Sequence, residues 1–183
     1  MTPLASAAAG LRGAVLLARG RAEGAGLVEP GAEGALHSFW AMAACLLILG
    51  LLSLADGEVG FLPTSLAAYG VGWLGFAVLS HRVAGALGAG DRWVGFITVW
   101  NWCSVVQQAL VATGSLAGLL GAPGPVSAAA LLVVTGWAIW LEWYAVKVTL
   151  GVGGLAAAGF VLLDYGISLA AFGVGSVVNG SAG

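Results

Sequence analysis

Two long apolar stretches of this 183-residue sequence contain polar side chains at helical spacing. In the first stretch, the spacing i, i+3 and i+7 puts Asn101, Ser104 and Gln108 on one face of a helix. In the second, Asp164 and Ser168 share a face at i and i+4. Polar and ionisable groups inside a membrane helix are costly, and they mark solute, ion or proton pathways. These five residues are therefore the predicted mid-membrane polar cluster.

Asp164 and Asn101 fall at similar depths in their apolar stretches. Each lies about eight to ten residues from the same end of its segment, at a rise of about 1.5 Å per residue. The cluster is consistent with a path for a small solute or for protons. The simpler interpretation is a set of interhelical hydrogen bonds that fix helix register, each worth about 0.6 kcal/mol.

A second group of charged side chains ends two other apolar stretches. His81 and Arg82 close one of them, and Glu142 and Lys147 lie near the end of another. We predict an ion pair between Glu142 and either Arg82 or Lys147 at the cytoplasmic boundary. The alternative is a proton-sensing pair of His81 with Glu142, because histidine titrates near neutral pH.

Motifs for catalysis and metal binding are missing from the sequence. It has no HExxH, no GxSxG and no phosphate-binding loop. Cys45 and Cys103 lie in apolar stretches and lack metal-ligand spacing. We therefore predict a protein that is not an enzyme and that has no catalytic residue, metal site or cofactor. The net charge of −2 does not favour nucleic acid as a partner.

Composition indicates which elements must position these residues. Hydrophobic residues make up 60% of the chain and charged residues 8%, whereas soluble domains carry about 25% charged residues. A membrane helix needs about 20 mostly apolar residues. The sequence predicts an all-α integral membrane bundle of five transmembrane helices. The predicted spans are 38–55, 62–80, 93–113, 126–146 and 154–174.

Turn-forming residues separate the predicted spans. Asp56-Gly57-Glu58 puts two carboxylates between the first and second spans, and Ala122-Pro123-Gly124-Pro125 cannot continue a helix. We divide the chain into a cytoplasmic segment 1–36, a transmembrane domain 37–176 and a short external tail 177–183.

The basic residues predict the orientation. With five spans, all six fall on one side of the membrane: Arg12, Arg19, Arg21, Arg82, Arg92 and Lys147. Basic residues accumulate on the cytoplasmic side of membrane proteins. We therefore predict a multi-pass protein of the bacterial inner membrane, with its N-terminus in the cytoplasm and its C-terminus outside.

The N-terminal segment is predicted to form an amphipathic interfacial helix. An apolar stripe at helical spacing runs along it, with Arg12 and Arg19 beside the stripe, where they can reach anionic headgroups. The stripe consists of Leu4, Ala8, Leu11, Val15 and Ala18. A disordered leader is the alternative. Three acidic residues are expected to form a solvated linker into the first span: Glu23, Glu29 and Glu33.

Small residues predict close helix packing, which holds helices together in lipid. Gly114 and Gly118 form a GxxxG motif, and Gly70, Gly72 and Gly75 form a second small-residue surface. Either surface fits a helix crossing within the chain or a contact between copies of the chain.

Three stretches of the sequence carry a resemblance: 33–40, 100–108, and 141–147 with 151–164 after it. They resemble a group of small, uncharacterised bacterial integral membrane proteins. The layout is also distantly similar to the Yip family, in which a cytoplasmic N-terminal region precedes five spans. The N-terminal region of this chain is much shorter than in typical eukaryotic Yip proteins, so the resemblance implies a topology and no trafficking role.

Two functions follow as expectations. The first is a structural or accessory membrane subunit that associates with lipids, with another membrane protein or with a second copy of the chain. The alternative is a channel or transporter for protons or a small solute that uses the mid-membrane polar cluster. A membrane enzyme is a third class, for which the sequence lacks residues.

Overall fold

Turns and short 3-10 helices connect the α-helices of this chain in a computed structural model, which describes residues 1–55, 57 and 59–180. Within these ranges the chain forms seven α-helices and no β-strand, as the predicted all-α class requires. The helices are α1 (Pro3–Ala18), α2 (Gly31–Ser38), α3 (Trp40–Ala55), α4 (Leu62–Ala86), α5 (Trp93–Leu119), α6 (Gly124–Leu150) and α7 (Gly154–Gly180).

Five helical segments in the described ranges are long and apolar enough to cross a membrane, which confirms the predicted five-helix bundle. They are Gly31–Ala55, Leu62–Ala86, Gly90–Leu119, Gly124–Leu150 and Gly154–Gly175. The first begins at Gly31 rather than at residue 38, because α2 and α3 follow each other across Phe39.

Two predicted connecting regions are only partly described. Of the predicted acidic turn, Asp56 and Glu58 lie outside the described residues. Of the predicted external tail, residues 181–183 lie outside them, and α7 continues through the rest of that tail to Gly180.

Local sequence explains where several helices begin and end. Thr2 caps α1 by accepting a hydrogen bond from the Ala5 amide at 3.3 Å, and Pro3 occupies the first turn, where its missing N–H costs nothing. The last residues of α6 end at Gly151, whose φ of +62° is a left-handed conformation that favours glycine. Its amide closes the helix on the Lys147 carbonyl at 3.1 Å.

Antiparallel pairs hold the bundle together. The pair α5–α6 packs most extensively, followed by α4–α7, while α1, α2 and α3 all pack against α5. Gly114 faces Val134 of α6, and Gly75 faces Ile167 of α7. Both small-residue surfaces therefore contain helix crossings within the chain. Because these glycines have no side chain, the two helices can approach closely.

Basic residues and packed aromatic rings mark one end of the bundle. The end where α4 and α6 finish and α5 and α7 begin is called the basic end, since Arg82, Arg92 and Lys147 lie there. Its interior contains interlocking aromatic rings, with Phe96 5.6 Å from Phe160 and 6.2 Å from Phe76. Towards the other end, large apolar side chains are exposed, as lipid contact requires: Leu47, Leu132 and Leu169.

Candidate functional site

Side chains of helices α4 to α7 line a half-open cavity of about 180 Å³. Each helix contributes side chains at a spacing that keeps them on one face, such as residues 69 and 73 of α4 or 138 and 142 of α6. The lining residues are Tyr69, Trp73, Trp100, Ser104, Gln107, Gln108, Val111, Ala138, Glu142, Asp164, Tyr165 and Ser168.

Glu142 and Asp164 both line this cavity, and their carboxyl groups interact electrostatically. Glu142 is 1% exposed and Asp164 is half-buried. Their proximity follows from the antiparallel hairpin of α6 and α7. Glu142 lies about 12 Å before the end of α6 and Asp164 about 15 Å after the start of α7, at 1.5 Å per residue.

Several buried polar atoms of the cavity wall have no hydrogen-bond partner in the described part of the chain. They are Oε1 of Glu142 and the indole nitrogens of Trp73 and Trp100. In contrast, Nε2 of Gln107 donates to the Ala138 carbonyl at 2.7 Å, which fixes that amide in the wall. Buried polar atoms without partners are costly, so this wall is chemically suited to a polar occupant.

Four residues of the predicted mid-membrane polar cluster come together in the cavity: Ser104, Gln108, Asp164 and Ser168. The fifth, Asn101, lies elsewhere and does not meet Asp164. It is completely buried, and its Nδ2 donates to Ser38 Oγ at 2.7 Å, which joins α5 to the end of α2. Asn101 projects about 80° away from the centre of the cavity-lining face of α5, because successive helical residues differ by about 100°.

The predicted cytoplasmic-edge group consists of His81, Arg82, Glu142 and Lys147. These four described residues do not form one cluster in the structure. The Lys147 ammonium lies 5.0 Å above the ring of Trp143, and the ring of His81 meets that of Trp93 at 4.9 Å. Arg82 is exposed. The predicted pairs of Glu142 are not formed because α6 runs to residue 150, which moves Glu142 more than two turns away from the helix end.

Sequence reasoning missed the aromatic part of the cavity wall. Tyr69 and Trp73 come from α4, Trp100 from α5 and Tyr165 from α7. A signal was available on α5, where positions 100, 104, 107 and 111 repeat at i, i+4, i+7 and i+11. The partner helix facing these positions could not be read from the spacing.

The N-terminal helix α1 is docked onto the bundle by its small residues. Gly10 lies against the indole of Trp102, where a side chain on residue 10 would overlap the ring. The other buried positions of α1 are Ser6, Gly13, Ala14, Leu17 and Ala18. Of the predicted apolar stripe, Ala18 is buried against the bundle, whereas Leu4, Leu11 and Val15 are exposed and free to contact lipid.

Two hydrogen bonds fasten the end of α1 to α6. The indole N–H of Trp137 donates to the Ala18 carbonyl at 3.1 Å, and the hydroxyl of Tyr144 donates to the Gly20 carbonyl at 2.8 Å. The chain around Arg19 therefore lies beside residues 137–144 of α6, and not beyond the end of that helix.

The expectation that Glu29 is part of a solvated linker is wrong. Glu29 is 7% exposed, and its carboxylate lies 2.9 Å from the Met1 ammonium and 2.8 Å from Nδ1 of His37. The neighbouring Ser6 hydroxyl, then His37 and the ammonium group, lower the pKa of Glu29 to about 2. Glu23 and Glu33 are exposed, as expected.

Fold and site together define a class: a multi-pass α-helical membrane protein whose last four helices form an acidic, aromatic-lined cavity. Among the described residues, no three or more histidine, cysteine or acidic side chains group closely enough to hold a metal ion. Comparison of the chain with family models, with curated proteins and with solved structures gave no match.

Proposed function

We propose that this chain is a non-enzymatic carrier of protons or of a small polar solute. The observation that supports the proposal is that two acidic residues, Glu142 and Asp164, line one cavity and interact with each other. Two ionised carboxyl groups close together inside a protein repel each other strongly. A proton or a bound cation relieves this repulsion. The carboxyl pair is therefore expected to bind and release protons or cations.

The second part of the proposal concerns orientation. All six basic residues fall on one side of a five-span topology, which supports a bacterial inner membrane protein with a cytoplasmic N-terminus. We infer that the hydrocarbon boundary crosses α6 near Trp137 and Tyr144. These side chains bond to the segment that carries the exposed Arg19 and Arg21, and guanidinium groups avoid hydrocarbon. The cavity then opens nearer the cytoplasm than the membrane centre.

A carrier fits the cavity better than an open pore does. Its polar lining ends towards the other side of the membrane near Val111 and Ser168, and the next groove along α4 and α7 is almost wholly apolar in the described residues. An open pore needs a water-filled path across the membrane, and apolar constrictions close such a path by dewetting. A site that is polar at one end fits a carrier, which binds its solute from one side of the membrane and then changes conformation.

Proton flux into proteoliposomes tests the proposal. The full-length chain is reconstituted with a pH-sensitive dye inside, and an external acid pulse is applied under a potassium-ionophore clamp. Asp164→Asn and Glu142→Gln are expected to slow the acidification at least about tenfold, which corresponds to about 1.4 kcal/mol in the barrier.

Glu33→Gln is the matched control, because it also removes one carboxylate but from an exposed position. It is expected to leave the flux unchanged. If the flux equals that of empty vesicles, or if Asp164→Asn carries the same flux as the unmodified chain, the proton part of the proposal fails. The solute part of the proposal is then tested by measuring the flux of labelled small solutes under the same gradient in the same variants.

An accessory subunit is the second candidate function. It is favoured by an apolar groove of about 500 Å³ between α4 and α7, whose wall is made of small side chains such as Ala67, Ala171 and Gly75. Small residues allow a neighbouring membrane helix to approach closely. Native mass spectrometry from mild detergent tests this candidate, since a second copy or another membrane protein must remain bound. Isolation solely as a lone chain contradicts it.

A further inference from the structure

We propose that the cavity binds a small organic cation about the size of choline. This inference rests on the proposed function, since it names the class of solute that the same site takes. Charge, ring geometry and volume each support it, and they are independent features of the wall.

The charge of the wall is uncompensated. Among the described residues that line the cavity, two carry carboxyl groups and none is lysine, arginine or histidine. Glu142 is 1% exposed, and the polar groups beside its carboxyl group, the indole of Trp100 and the amide of Gln107, carry no charge. A buried carboxylate needs an opposite charge or a proton, so a cationic ligand would supply what the protein itself does not.

Aromatic rings form the wall beside these carboxyl groups. The rings of Trp73 and Trp100 meet edge to face, with centroids 5.0 Å apart at 68°, and Tyr69 adjoins Trp73 at 5.8 Å and 54°. All three rings line the cavity, and Tyr165 of α7 adds a fourth aromatic ring to its wall. The faces of tryptophan and tyrosine attract alkylammonium ions, most strongly when water is excluded.

The volume of this half-open cavity accommodates a ligand of the proposed size. At about 180 Å³ it is slightly larger than a cavity of about 150 Å³ that holds one benzene molecule. Choline, with seven non-hydrogen atoms, is of this size. Its hydroxyl group has polar neighbours available in Ser104 and Gln108, which also line the cavity.

Exchange of the cation for a proton conserves the charge of the site. The titratable groups that face the cavity are Tyr69 of α4, Glu142 of α6, and Asp164 and Tyr165 of α7, and α5 contributes none. When one proton leaves the carboxyl pair as one cation binds, the apparent Kd rises about tenfold for each unit that the pH falls.

Calorimetric titration of the full-length chain in lipid nanodiscs tests the inference. Choline is compared with 3,3-dimethylbutan-1-ol, a neutral molecule of nearly the same shape. Choline is expected to bind at least about tenfold more tightly than the alcohol, a difference of about 1.4 kcal/mol. Asp164→Asn is expected to abolish this preference, Asp164→Glu to restore part of it, and Glu33→Gln to leave it intact. Circular dichroism and gel filtration confirm that each variant is folded.

The outcomes separate this inference from the proposed function. Equal affinity for choline and the alcohol overturns the cation assignment. Absence of choline binding also overturns it, while a proton flux that still depends on Asp164 leaves the proposed function standing. Flux that is indifferent to Asp164 and Glu142 contradicts the proposed function, whatever the titration gives.

Discussion

Replacing Ser38 with alanine tests how the first membrane segment is held to the centre of the bundle. Asn101 is completely buried and donates to Ser38 Oγ at 2.7 Å, while its Oδ1 has no partner in the described residues. Ser38→Ala therefore leaves a buried amide N–H group without an acceptor. Such a loss costs about 1–3 kcal/mol, and interhelical bonds in membranes average about 0.6 kcal/mol. We expect destabilisation of about 1.5 kcal/mol.

The assay is reversible unfolding in mixed micelles of a mild detergent and dodecyl sulfate, followed by circular dichroism. Ser115→Ala is the matched control, because the Ser115 hydroxyl bonds within its own helix to the Val111 carbonyl. We expect the control to change the free energy of unfolding by less than about 0.5 kcal/mol. Adding Asn101→Leu to Ser38→Ala should recover most of the loss, since both polar partners are then gone. Equal stabilities of Ser38→Ala and the unmodified chain would refute the reasoning.

Three further predictions concern the basic end. Gly151→Ala should lower the free energy of unfolding by at least about 1 kcal/mol in the same assay, because alanine is strained at a φ of +62°. The pKa of Glu29 is lowered from its ordinary value of 4.5 to about 2, so its carboxylate stabilises the fold above pH 4.5 and this stability is lost as the pH falls towards 2. Glu29→Gln should therefore flatten the decline in stability between pH 4.5 and pH 2. Trp137→Phe removes the bond to the Ala18 carbonyl, so amide hydrogen exchange in α1 should accelerate while that of α7 stays unchanged.

The membrane bundle could be predicted from the sequence because span length is a physical requirement. A helix needs about 20 apolar residues to cross a bilayer, and prolines and acidic turns marked the gaps. The start of the first membrane segment was harder to predict from the sequence. Glu33 was assigned to a solvated linker, yet it lies in α2, and His37 of the same helix pairs with the buried Glu29.

The candidate site was only partly accessible to sequence reasoning. Helical phase grouped Ser104 with Gln108, but phase does not say which helix faces them. The proximity of Glu142 to Asp164 depends on the length of α6 beyond residue 146 and on the tight turn to α7. Similarly, no local pattern reveals that Asn101 turns towards Ser38, since that requires the arrangement of α2 against α5.

The most direct test of the central claim is the reactivity of a cysteine placed in the cavity. Ser168→Cys lines the cavity, in a background where Cys45 and Cys103, both buried, are alanine. A cationic methanethiosulfonate reagent should modify it at least about tenfold faster than an anionic one of similar size, because the wall carries two carboxyl groups. Modification should also block flux, and Asp164→Asn should reduce the preference for the cationic reagent. Equal rates for the two reagents, or full flux after complete modification, would contradict the account.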